Sequence, residues 1–131
     1  MTTPTLTEFL TARFDEDEAV AKRATDGGFG WRLADLAGGN EVWADRDAGG
    51  WDAFMIATTA TRLNRNPGAK GFDDANHIAR HDPARVLAEV EAKRRIVAFA
   101  KHLPSVYARC VLEPMALPYA DHPDYDEAWR P

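Results

Sequence analysis

The sequence predicts an α+β fold: an N-terminal helix, a small three-stranded antiparallel meander, and a long C-terminal helix with a short helix and an extended tail packed back on it. Three observations carry this expectation. Apolar residues recur at helical spacing near the start of the chain and again after residue 83. Between those segments the period drops to two, in "FGWRLAD" and "EVWAD". Turn signals, "GGN" at 38–40 and "DAGG" at 47–50, separate the apolar runs. At 131 residues the chain has the length of one domain with one core. Its expected parts are a helix over 1–26, strands over 29–58, a loop over 59–72, helices over 73–103, and a short helix and tail over 105–131.

The first helix opens on Thr5 and Glu8, spaced as a capping box in which each side chain satisfies the other's free backbone N–H. Leu6, Phe9, Leu10, Phe14, Val20 and Ala21 then fall on or near one face. The run "DEDE" at 15–18 reads as a solvated face, with docking of a basic partner as the alternative. Gly27 and Gly28 end the helix. In the strands, Phe29, Trp31 and Leu33 lie two apart, polar residues flank Val42, and "WDAFMIAT" is a short apolar run. So small a sheet needs a helix across one face. Trp31, Trp43 and Trp51 read as core aromatics, the alternative being an exposed platform for a base or a sugar.

The loop "TATRLNRNPGAKGF" is basic through Arg62, Arg65 and Lys70, a candidate anion-binding lip. Its "GAKG" lacks the spacing, and the Ser or Thr after lysine, of a phosphate loop. Asp73 or Asp74 caps a short helix carrying His77, Ile78 and His81. Because a residue before proline is pushed out of the helical region, Asp82 reads as an N-cap and Pro83 as the first residue of the next helix. That helix runs to about Leu103, buries Val86, Leu87, Val90, Val97 and Ala100, and is widened by Ile96 and Phe99. Glu89 with Lys93 and Glu91 with Arg95 are ion pairs in the favourable order. Ser105 caps a short helix through Val111 and Leu112, interrupted by Pro114. The tail "PYADHPDYDEAWRP" reads as extended, tied to the body by its aromatics.

Composition bounds the function. A net charge of -5 argues against a broad nucleic-acid face. The single cysteine, Cys110, leaves no intramolecular disulfide and no Cys-based zinc ribbon. Neither a secretory leader nor an apolar run of membrane-spanning length is evident, so the cytoplasm is the expected address.

One set of residues has metal-ligand chemistry. His77 and His81, four apart, share a helix face, and Asp82 follows. Ile78 stands where a zincin requires glutamate. His102 lies about 30 Å along the next helix and cannot join them. An extended tail could bring Asp121, His122 and Asp124 back to the Asp82 end, giving a set suited to zinc or manganese. The competing view makes "HDP" a helix boundary and "HP" a turn.

The blocks "HIARHDPARVLAEVEAKRRIV" and "MALPYADHPDYDEAWRP" resemble a family of unknown function, small proteins of actinobacteria and their phages. The resemblance covers about the last 60 residues, and it implies a bacterial or phage cytoplasmic setting and an accessory role; it does not imply catalysis. Relatives place several cysteines between the blocks, which implies a small metal-binding insert. This chain has "HLPSVYARCVLE" there, with Cys110 alone, and so departs from that pattern.

Three functional expectations follow. The first is an adaptor that binds another protein through Tyr119, Tyr125 and Trp129 beside His77, Arg80, His81 and Asp82, although the same aromatics could only staple the tail down. The second is a metal-dependent enzyme or small-ligand binder using the His/Asp set. The third is nucleic-acid binding through Arg62, Arg65, Lys70 and Arg80.

Overall fold

Thr5 and Glu8 start the first helix as a reciprocal pair. The Thr5 N–H donates to Glu8 Oε2 at 2.8 Å, and the Glu8 N–H donates to Thr5 Oγ1 at 3.3 Å. The computed structural model describes residues 2–25, 31–33, 41–45, 53–58 and 70–131. The expected turns at Gly27–Gly28, 38–40 and 47–50, together with Phe29, Trp51, Arg62 and Arg65, lie outside them. In chain order the elements are α1 (Leu6–Thr25), β1 (Trp31–Leu33), β2 (Glu41–Asp45), β3 (Ala53–Thr58), α2 (Lys70–Arg80), α3 (Pro83–Ala100) and α4 (Ser105–Ala116). Two 3-10 turns, Leu117–Tyr119 and Glu127–Trp129, follow.

This corrects the α+β class. The four α-helices hold 20, 11, 18 and 12 residues, against strands of 3, 5 and 6. The described residues are mostly helical, and the sheet among them consists of short strands paired antiparallel in the order β1-β2-β3. Helix also takes ground assigned to the loop, since Lys70, Gly71 and Phe72 belong to α2.

Residue contacts divide the chain into two compact units, one of Met1–Val20 with Ala88–Pro131 and one of Ala21–Leu87. In the first unit the buried residues come from three helices: Phe9, Leu10 and Phe14 of α1, Val90, Val97 and Ala100 of α3, and Leu112 and Ala116 of α4. Val20, Ile96 and Phe99 do not join them, although the sequence places them on or beside apolar stripes. They are 58%, 42% and 62% exposed. A helix face is only about 100° wide, and these positions fall just beyond it.

In the second unit α2 packs against β1 and β2, with Ala75 fully buried. Val42 and Ala44 are buried and Glu41 and Trp43 half-buried, the period of two of a sheet with one covered face. Trp31 pairs with Ala44 and Arg32 with Trp43, so Trp31 and Trp43 sit one register step apart, on opposite faces. They cannot form one aromatic platform.

"HDP" is a helix boundary. Asp82 Oδ1 accepts the Arg85 N–H at 2.9 Å and caps α3, which begins at Pro83. Asp82 Oδ2 accepts the Trp31 N–H at 3.2 Å, so one carboxylate serves both a helix start and a strand. At α4 the expected Ser105 cap is displaced by one residue. Pro104 is the N-cap, with no side-chain bond, and Pro114 lies inside the helix without ending it.

The tail is not extended. The His122 N–H donates to the Tyr119 carbonyl, the Tyr125 N–H to that of His122, and the Trp129 N–H to that of Asp126, so the chain coils through successive turns. Asp126 fastens the last of these by accepting the Ala128 N–H at 2.9 Å.

The two side-chain caps, Thr5 and Asp82, can be tested together by urea unfolding. Thr5→Ala should cost about 1 kcal/mol and Asp82→Ala about 1–2 kcal/mol. Asp82→Asn keeps the cap but weakens the bond to Trp31, and its midpoint should fall between wild type and alanine. A wild-type midpoint for Asp82→Ala would remove the residue from the account of the fold.

Candidate functional site

Phe9 is the hub of the first unit. The rings of Tyr119, His122, Tyr125 and Trp129 lie 6.4, 5.8, 5.9 and 5.0 Å from it, and Tyr125 meets Trp129 edge-on at 5.7 Å. Aromatic pairs of this geometry contribute about 0.5–1.5 kcal/mol each beyond burial. Tyr119, Tyr125 and Trp129 are half-buried here. Their contacts with Phe9 fasten the tail to α1.

Arg13 locks the same junction. It is 7% exposed, forms a fork with Glu16 at 2.6 and 3.0 Å, and lies over the Phe9 ring. Its remaining Nη1 donates to His122 Nδ1 at 3.0 Å, and the Asp124 N–H reaches the same nitrogen at 3.1 Å. A guanidinium and a backbone amide only donate, so Nδ1 accepts and the ring proton sits on Nε2. The bond to Arg13 holds Glu16 below the ordinary carboxylate value of 4.5. The Tyr119 hydroxyl donates to Asp17 Oδ2 at 2.6 Å, and burial, aided by that bond, pushes the phenol well above its usual range. The DEDE run is therefore spent on this chain, because Arg94 of α3 binds both Asp15 and Glu18 at 2.7 Å.

The six candidate metal ligands fall into two groups. Asp121, His122 and Asp124 belong to the first unit, and His77, His81 and Asp82 to the second. His122 Nδ1 and Asp82 are engaged as described, while Asp124 Oδ2 lies 3.9 Å from the imidazole. Among the described residues no group of three or more His, Cys, Asp or Glu is placed to hold a metal ion. His77 and His81 do meet, with ring centroids 4.2 Å apart. Arg80 is exposed beside them, its carbonyl accepting from Arg85 at 3.3 Å, and Lys70 opens α2.

Two surface features remain. An open cleft of about 460 Å³ lies between residues 2–4 and 123–127. Its acids serve the tail itself, Asp126 as a cap and Glu127 paired to Arg130 at 2.8 Å. The second is the corner where α3 gives way to α4. Ile96, Phe99, Val106 and Tyr107 are all exposed there, the last three by more than 60%. No Asp or Glu occurs from Ala92 to Leu112, whereas Lys93, Arg94, Arg95, Lys101 and Arg109 do. Arg95 and Arg109 pair within their own helices, with Glu91 and Glu113. Lys101 has no acidic partner among the described residues. Sequence reasoning missed this corner by assigning Ile96 and Phe99 to the core. The acid-free stretch was the available signal.

A family model described as a family of unknown function, DUF6221, matches residues 3–131. No curated protein and no solved structure matches the chain.

Two outcomes follow. His122→Ala leaves a buried guanidinium N–H without its acceptor and should cost about 1–3 kcal/mol, with faster amide exchange over residues 119–129. Unchanged exchange would show that the tail is held by packing alone. The second concerns acid. The Thr5 N–H and hydroxyl lower Glu8, Arg13 lowers Glu16, and Arg130 lowers Glu127. A depressed carboxylate contributes stability above its unfolded value and loses it as pH falls through the folded one. Stability should therefore decline below about pH 4.5, and Glu16→Gln should flatten that decline. Parallel acid limbs would exclude the Arg13–Glu16 pair as a cause.

Proposed function

We propose that this chain, which belongs to the family of unknown function DUF6221, is a small accessory protein that binds another protein through the α3–α4 corner. The single observation that carries the proposal is that corner's exposure of Phe99, Val106 and Tyr107 together. Aromatic and aliphatic anchors with a charged rim are what protein interfaces use. Exposed rings there cost solubility with no return to this chain's own core, in contrast to the tail aromatics.

Charge selects the partner. A second copy joined across a twofold axis would bring Lys101, Arg95 and Arg109 against their equivalents, with no acid between Ala92 and Leu112 to relieve them. An apolar segment bordered by Asp and Glu is complementary, and the Arg95–Glu91 pair is exposed on both sides and can be exchanged at little cost. We place the protein in the bacterial cytoplasm, encoded by the host or by a phage, the setting that the "HIARHDPARVL" block implies. No helix among the described residues is long and apolar enough to cross a membrane.

A photo-crosslinking residue at position 99 or 107 tests this in host extract. A discrete protein adduct is expected, whose contact segment is acidic and whose yield falls when Lys101 is replaced by Glu or salt is raised. The same substitution at Thr11, exposed on α1, serves as the control. Equal yields from all three positions, or adducts with nucleic acid alone, would overturn the proposal.

A further inference from the structure

The His77–His81 pair, in the second unit, is independent of that surface. The His81 Nδ1 lies 2.9 Å from the His77 carbonyl oxygen. A carbonyl only accepts, so Nδ1 carries the proton and, in the neutral ring, Nε2 carries the lone pair. A backbone carbonyl on the far nitrogen is how proteins set the tautomer and orientation of a metal-binding imidazole. The His77 ring has no hydrogen bond among the described residues, and both side chains are exposed. The rings face one another at a tilt, centroids 4.2 Å apart and planes inclined by 35°. Both are exposed and one helical turn apart, so a rotation of the unbonded His77 ring would bring a second nitrogen to an ion held by His81 Nε2 at about 2.0–2.1 Å.

We infer that His77 and His81 form a two-imidazole site for a late first-row divalent ion, of the class of zinc, copper or nickel. Imidazole suits these ions, while calcium and magnesium prefer oxygen. No third protein ligand joins the pair among the described residues. The remaining positions therefore belong to water or to a donor from a second molecule, and affinity is moderate. Because the ligands stand one turn apart, an ion held by both also clamps the end of α2 beside the Asp82 cap.

The test titrates zinc chloride into the metal-free full chain, followed by calorimetry and by the histidine ring resonances. One zinc per chain is expected, moving the His77 and His81 signals together. His77→Gln and His81→Gln should each weaken binding by about tenfold or more, and His102→Gln should leave it unchanged. Both variants are surface changes, and far-ultraviolet circular dichroism confirms that each is folded before titration. Zinc should also raise the unfolding temperature of wild type but of neither variant. Absence of binding at millimolar zinc, or binding that survives both substitutions, overturns the site.

Discussion

The first unit depends on one buried cation. Arg13 sits in the apolar face of α1, among Phe9, Leu10 and Phe14, where an unpaired guanidinium would cost several kcal/mol. It is tolerated because every direction it points is answered. Glu16 takes the fork, the Phe9 ring takes its face, and His122 accepts the remaining N–H. The last of these partners lies on the tail. Burial of Arg13 and docking of the tail are consequently one event, and the aromatic cage around Phe9 forms only when His122 arrives.

That arrangement explains which aromatics are free to act. The tail's tyrosines and tryptophan are bound to Phe9 and Asp17. Among the described residues the rings on the α3–α4 corner make no comparable contact, and Lys101 beside them has no acid to answer it. Two sets of residues similar in composition thus differ in function, because one lies beside Phe9 and the other does not. The acidic run at 15–18 is likewise divided among Arg94, Arg13 and Tyr119, which leaves little of it for a foreign basic partner.

Local chemistry made part of this legible from sequence. Thr5–Glu8 and Asp82–Pro83 are signals in which a side chain meets a backbone group three residues away, and both act as their spacing implies. The docking of the tail could be inferred from its aromatics, but its path could not. Prolines at 118 and 123 are as compatible with 3-10 turns as with extended chain, and the choice is made by tertiary contacts with α1. The same limit applies to Ile96 and Phe99. Periodicity places them within a residue of the buried stripe, yet which side of a helix is covered depends on what covers it. The six candidate metal ligands divide between two compact units, a division that residue types and spacing do not carry; His77 and His81, one helical turn apart, do meet as their spacing implies.

The Arg13–His122 bond spans 109 residues of sequence, and the Tyr119–Asp17 bond spans 102. A ribosome presents α1 long before it presents the residues that cover it. Until the segment carrying Tyr119 and His122 is made, Arg13 has only Glu16 and Phe9 beside it and Asp17 lacks its phenol, and a chaperone could bind the apolar face of α1 in that interval. Contacts of such separation also slow folding, since closing the loop precedes any gain from it. Residues 119–129 complete the first helix's environment, so its packing closes in a single late step.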